Sequence, residues 1–486
     1  MSVKLSVERR EWKGLNTLWF RLECESFTKL LLTIVICCMS TIQIRADEPL
    51  SDAQPTTSVL NDWKRLSDAD VWSLLPEVAS GEKTALPNWA KAVATQLPRT
   101  AAAMIELDAA FRTLGPLDPV LRAKLRWIIA HANQCRYSEA YALADLRRAG
   151  GETSYVEAVL ADKNSWPASD ADALEFARLQ TLAAPTTTDE LFQKLRDRYG
   201  DRQVAAMVLL TAYGNFQDRM LLGLSIPLEE RAPLEPSRVK FVAGALQVAP
   251  LLPPENGAAI YQANGQAVTT RDQEWNSISY DQLQARLEKQ RARQPRLPIP
   301  TWDEVKGALP TAMGARPTAI RWSLMNYGYA PELAIPWTIA TRTHWAEHPS
   351  DRVLEESLFW IQTRAIECNY CMGHCEMLLE VAGLDKPAIA KRTRLLAESD
   401  WASFPAAEQR AYAFARKLSR KPSGLTPADY QTLESDFGNQ QAMSIFWWLC
   451  RGLYMTRISD GFQLPLEREN VFGGHAPTPA EANSKN

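Results

Sequence analysis

Apolar residues recur at three- and four-residue spacing along most of this chain. "VLRAKLRWIIAHANQ" from Val120 and "VLEESLFWIQTRAIE" from Val353 both carry the stripe of a helix buried on one side. "TPADYQTLESDFG" opens on Thr426, Pro427 and Asp429, residues suited to a helix N-terminus, and stops at Gly438. Runs that alternate polar and apolar positions are scarce. The pattern predicts an all-α protein.

The pattern is also written twice. "EFARLQTLAAPTTTDELFQKLRDRYGDRQ" from Glu175 aligns with "AFARKLSRKPSGLTPADYQTLESDFGNQQ" from Ala413, an offset of 238 that pairs Gly200 with Gly438 and Arg219 with Arg457. Upstream, "HANQCRYSEAYALADLRRAGG" aligns with "RAIECNYCMGHCEMLLEVAGL" at an offset of 233, pairing Cys135 with Cys368 and Gly150 with Gly383. A repeat of this kind marks a supersecondary unit used more than once. It predicts two helical domains, 76–235 and 296–470. Between them, 236–295 reads as a linker, with a charged helix followed by an extended, proline-bearing stretch at "QLQARLEKQRARQPRLPIP". Residues 47–75 read as an N-terminal linker, and the tail 471–486 reads as disordered.

Composition narrows the function. A net charge of -3 argues against a general nucleic-acid binder. Near the start, Lys29 precedes the apolar run "LLLTIVICCMSTIQI". A membrane span needs about 20 apolar residues, so the run fits a signal peptide over 1–46 better than a span. The expected location is the periplasm or the exterior, with an N-terminal membrane anchor as the alternative. The 16 tryptophans read as core and interface residues.

Eight cysteines occur, and three of them, Cys24, Cys37 and Cys38, belong to the export segment. Three of the remaining five crowd into "ECNYCMGHCEML", from Glu367 to Leu378. Haem attachment needs C-x-x-C-H, and Met372 stands where the histidine must be. Zinc is disfavoured because Cys368, Cys371, His374 and Cys375 lie along one helix and cannot surround a metal. A CxxC at a helix N-terminus is instead a redox device, since the terminus stabilises a thiolate. Cys371 has His374 at i+3 and Cys375 at i+4, so a proton donor or acceptor stands close by. On the cluster alone, a plain disulfide tethering the helix beside a surface histidine is equally open.

Glu356 stands twelve residues before Cys368. The pattern E-x11-C-x2-C in a helical setting, followed by "AGL", resembles the alkyl hydroperoxidase D-like and carboxymuconolactone decarboxylase family. The resemblance is specific over about 350–384 and extends more loosely over each repeat. It implies two tandem alkyl hydroperoxidase D-like helical domains. It also implies Cys371 as the peroxidatic thiol, Cys368 as the resolving thiol and Glu356 as part of a proton relay. Two departures stand out. The family's usual histidine falls where Cys375 stands here, with His374 one residue early, and Tyr370 replaces a histidine frequent before the second cysteine.

The first copy lacks these groups: Ser138 replaces the second cysteine, Ala123 the glutamate and Tyr141 the histidine. Cys135 remains, and a lone helical cysteine reads as a small core residue. His344 and His348 read as a solvated helix end. The expected activity is a thiol-dependent peroxidase or disulfide oxidoreductase. It would need no cofactor or metal, would act on a hydroperoxide or disulfide, and would draw electrons from a partner thiol protein or small thiol. The first copy would pair with the second as an intrachain pseudo-dimer, or the chain would form a homo-oligomer. The alternatives are the lactone decarboxylase chemistry of the same family and a non-catalytic helical scaffold.

Overall fold

The computed structural model describes residues 63–152, 156–242, 275, 277–348, 350–398 and 401–473. Residues 1–46, expected to be a signal peptide, lie outside the described residues. Helices make up the fold. The strands among the described residues are Val78–Ser80 and Lys240–Phe241, which pair antiparallel. The protein is all-α.

Each repeat is built on a helical hairpin. In the first, Asp118 accepts hydrogen bonds from the N–H groups of Val120 and Leu121, and Pro119 opens the helix Pro119–Asn133. In the second, Asp351 does the same for Val353 and Leu354 at the start of Arg352–Ala365. Both helices end on a non-glycine residue at positive φ, Gln134 (59°) and Glu367 (62°). The next residue, Cys135 or Cys368, is the N-cap of the returning helix, Arg136–Arg148 or Asn369–Val381. The hairpin turn therefore puts the first cysteine of each motif at a helix N-terminus.

The other pairing ends in a long helix. Gly200 (φ 76°) kinks Asp189–Gly223, and Gly438 (φ 77°) separates Pro427–Phe437 from Asn439–Gly461. Only glycine takes this backbone without strain. The two long helices then pack on each other antiparallel. A Cβ on Gly223 would lie 2.5 Å from Phe446, and one on Gly461 would lie 2.6 Å from Val208. At the offset of 238 these are the same contact made in both directions, as two-fold symmetric surfaces require. Pro98–Thr113 packs on Pro331–Glu347, and Glu347 closes its N-terminus by accepting from the N–H groups of Arg99 and Thr100, both at 2.7 Å.

The apolar core runs through both halves, and the described residues fall in one compact unit. The stretches expected as linkers join it. Asp68–Leu74 buries Val71 and Trp72. Tyr280–Arg291 buries Leu283 and Leu287, and Gln284 donates to Glu376 on the cysteine helix at 2.9 Å. Periodic apolar residues in these stretches find a surface to cover, which composition alone does not reveal. The tail's Val471 and Phe472 also join the body, whereas residues from 474 onward lie outside the described range. Among the described residues no helix is long and apolar enough to cross a membrane.

Candidate active site

Cys368, Cys371, Glu356, His374, Cys375 and Tyr370 are all buried, and all lie in the second hairpin. The helix Asn369–Val381 projects Cys371 and His374 into one cavity of about 800 Å³. Cys368 sits behind them at the helix cap, within hydrogen-bonding contact of Cys371. Both are thiols. Cys375 faces the interior, and burial pushes its thiol and that of Cys368 well up.

His374 and Glu356 belong to two different networks. His374 Nε2 lies 2.8 Å from Glu467 Oε2, and the Tyr370 hydroxyl donates to Glu467 Oε1 at 2.9 Å. Glu467 also accepts from the Arg321 N–H at 3.1 Å, at the first residue of helix Arg321–Tyr329. Burial acts to raise the Glu467 carboxyl, but His374 and the hydrogen bonds outweigh it and hold the pKa below its usual value. Glu356 instead lies 3.4 Å from Arg352 Nε, within the field of Arg451. Burial pushes both Glu356 and its neighbour Glu355 up to about 7. Glu356, expected as part of a proton relay, thus meets Arg352, while Glu467, just beyond the long C-terminal helix, is the carboxylate that meets His374.

The long C-terminal helix contributes groups that the cysteine motif does not announce. The Ser459 hydroxyl lies 3.2 Å from Cys371 Sγ. Arg451 and Arg457 both place positive charge near Cys371. Asp460 is hydrogen-bonded to Cys368, and burial pushes its carboxyl up to about 7. The nearest sequence signal for these residues was the 238 offset, which pairs Arg457 with Arg219 and Glu467 with Glu229.

His344 and His348 do not form a solvated helix end. His344 is fully buried, stacks on Trp447 at 4.2 Å between ring centroids, and meets the Ser444 hydroxyl at 3.0 Å. Burial and the nearby Arg451 push its pKa down to about 3, so it is neutral. The apolar face of Pro331–Glu347 that covers the first repeat takes it inside.

The first hairpin has an equivalent cavity of about 680 Å³. Ser138 lines it in place of Cys371 and accepts from Arg126 Nη2 at 2.7 Å. Cys135 Sγ contacts Ser138 Oγ at 3.5 Å, and burial pushes the thiol up to about 12. Cys135 is a buried core residue. The tyrosine–carboxylate frame persists: Tyr137 and Tyr141 donate to Glu229 at 2.5 and 2.8 Å, and Glu229 accepts from the Asn88 N–H at 2.7 Å.

No protein-family model matches the chain, and a search of curated proteins finds no match.

Proposed function

We propose that this protein is a thiol peroxidase whose redox centre is the Cys368/Cys371 pair. The observation that carries the proposal is the placement of Cys371 and His374 on one cavity, with the Cys368 thiol directly behind. The resemblance of the E-x11-C-x2-C hairpin to the alkyl hydroperoxidase D-like family points the same way.

The Cys371 thiolate attacks the terminal oxygen of a hydroperoxide. The O–O bond breaks, an S–O bond forms, and the leaving alkoxide takes a proton to become an alcohol. His374, oriented by Glu467, is the proton donor on the cavity side. A thiolate at Cys371 lies in the field of Arg451 and Arg457 with Ser459 as a hydrogen-bond partner. Cys368 then passes its proton to Asp460 and attacks the Cys371 sulfur. The S–S bond forms, and the sulfenic hydroxyl leaves as hydroxide and takes the proton held on Asp460 to become water. An external dithiol reduces the disulfide by two electrons and completes the cycle.

The test is stopped-flow mixing of the fully reduced protein with hydroperoxides, following loss of free thiols. The parent should lose two thiols per hydroperoxide. Cys368→Ser should stop at a sulfenic acid that dimedone labels on Cys371. Thiols untouched by every hydroperoxide, or a label on Cys368 in Cys371→Ser, would defeat the proposal.

A further inference from the structure

The cavity over Cys371 has a one-sided chemistry. Arg316, Arg342, Arg352 and Arg451 line it, and among the described residues no aspartate or glutamate does. Arg352 and Arg451 are backed by Glu355 and Glu356 and by the faces of Trp345 and Trp448. Arg342 has no such backing. It makes no hydrogen bond or ion pair among the described residues, and its Nη1 is buried without an acceptor. Beside it stand the Tyr327 phenol and a second cation, Arg316. Three further donors on this wall, Thr341 Oγ1, Trp337 Nε1 and Trp345 Nε1, are also buried without acceptors.

The first-repeat cavity shows how such a wall is ordinarily completed. There Asp108 accepts from Tyr213 at 2.9 Å and Gln217 at 2.8 Å, and Asp145 takes a two-pronged hydrogen bond from Arg112. At the offset of 233, Asp108 becomes Thr341, Asp145 becomes Leu378 and Ala109 becomes Arg342. The second repeat has neither acceptor at these positions; Arg112, the cation Asp145 holds, pairs with Trp345, and the cation stands instead at Arg342. Buried donors are almost always paired, and a planar guanidinium matches a carboxylate with two parallel bonds. The rest of the wall is apolar and aromatic, including Trp322, Phe359 and Phe472.

We infer that this cavity binds an amphiphile with a carboxylate head, its carboxylate on Arg342 and its apolar body against the aromatic wall. Under the peroxidase reading, on which the reactive half of the inference rests, the substrate class is then a carboxylate-bearing organic hydroperoxide. The binding half stands without that reading.

Two measurements separate the halves. The first is tryptophan fluorescence of the reduced full chain, titrated with decanoate and with 1-decanol at fixed ionic strength. A hydrogen-bonded charge pair predicts that decanoate binds at least about tenfold more tightly. Arg342→Met should abolish that preference while decanol binding stays within about twofold, and Arg342→Lys should keep part of it. Thermal melting reports whether each variant is folded. Equal binding of the two ligands by the parent, or a preference that survives in folded Arg342→Met, would overturn the inference. The second measurement compares the rates at which linoleic acid hydroperoxide and its methyl ester oxidise Cys371. The acid should react faster in the parent and at the ester's rate in Arg342→Met. A decanoate preference with Cys371 inert to both hydroperoxides would sink the peroxidase reading and leave the carboxylate site standing.

Discussion

The two hairpins of this chain share a scaffold and differ in chemistry. Retained in both are a tyrosine and a carboxylate, Tyr137 with Glu229 and Tyr370 with Glu467, and in each copy the carboxylate also accepts from the first N–H of a neighbouring helix. That N–H would otherwise be an orphan of the helix terminus, so the pair is architectural. What differs is the set of groups that touch the thiol or the cavity. Cys371, His374, Arg451, Ser459 and Asp460 have Ser138, Tyr141, Tyr213, Leu221 and Leu222 as their counterparts. Under the peroxidase proposal, the difference separates parts needed for folding from parts needed for reaction, and His374 is a reactive group hung on a structural carboxylate.

The largest effect that would break this comparison concerns the thiols. Cys371→Ser should abolish peroxide-driven thiol loss, whereas Cys135→Ala should leave its rate within about twofold of the parent. A tenfold fall in Cys135→Ala, with melting unchanged, would bring the first hairpin into the redox cycle. Next comes the histidine. His374→Ala should slow oxidation by about 10²–10⁴, the usual contribution of a positioned acid or base. The reverse change, Tyr141→His, should confer no peroxide reactivity on the first hairpin, because Ser138 offers no thiol there.

The carboxylates sharpen the contrast between frame and chemistry. Glu229→Gln and Glu467→Gln should each destabilise the fold by about 1–3 kcal/mol, since each removes a charged acceptor from buried donors. Only Glu467→Gln should also slow oxidation and shift its pH profile. Equal effects of both on the rate would mean that the two frames are not independent.

The smallest effect is a pH dependence of stability. Burial raises Glu355, Glu356 and Asp460 to about 7, from 4.5 for the glutamates and 3.8 for the aspartate. Between those limits the folded chain holds protons that the unfolded chain has released, so stability falls as pH rises. The contribution is fully present below about pH 4 and is lost through about pH 7. Glu356→Gln should flatten the fall in melting temperature between about pH 5 and 8. The first hairpin has Arg122, Ala123 and Leu222 at these positions, and Ala123→Gln should leave the slope unchanged.

The sequence by itself determined the helical class, the doubled hairpin and the position of the CxxC at a helix cap. Those features depend on local periodicity, on capping residues such as Asp118 and Asp351, and on glycines at fixed backbone angles, all of which are written in short windows. It also determined that Cys135 and Ser138 cannot repeat the paired cysteines of the second copy. Only the tertiary structure decided which carboxylate meets His374. Glu467 lies 93 residues beyond His374 and reaches it because the C-terminal segment folds back over the cysteine helix. It likewise decided that His344 is buried, that Cys375 faces inward while His374 faces the cavity, and that Arg342 Nη1 is buried without an acceptor among the described residues. Each of these depends on what a neighbouring helix places opposite the side chain, and helical periodicity gives a side chain's direction without naming what it meets.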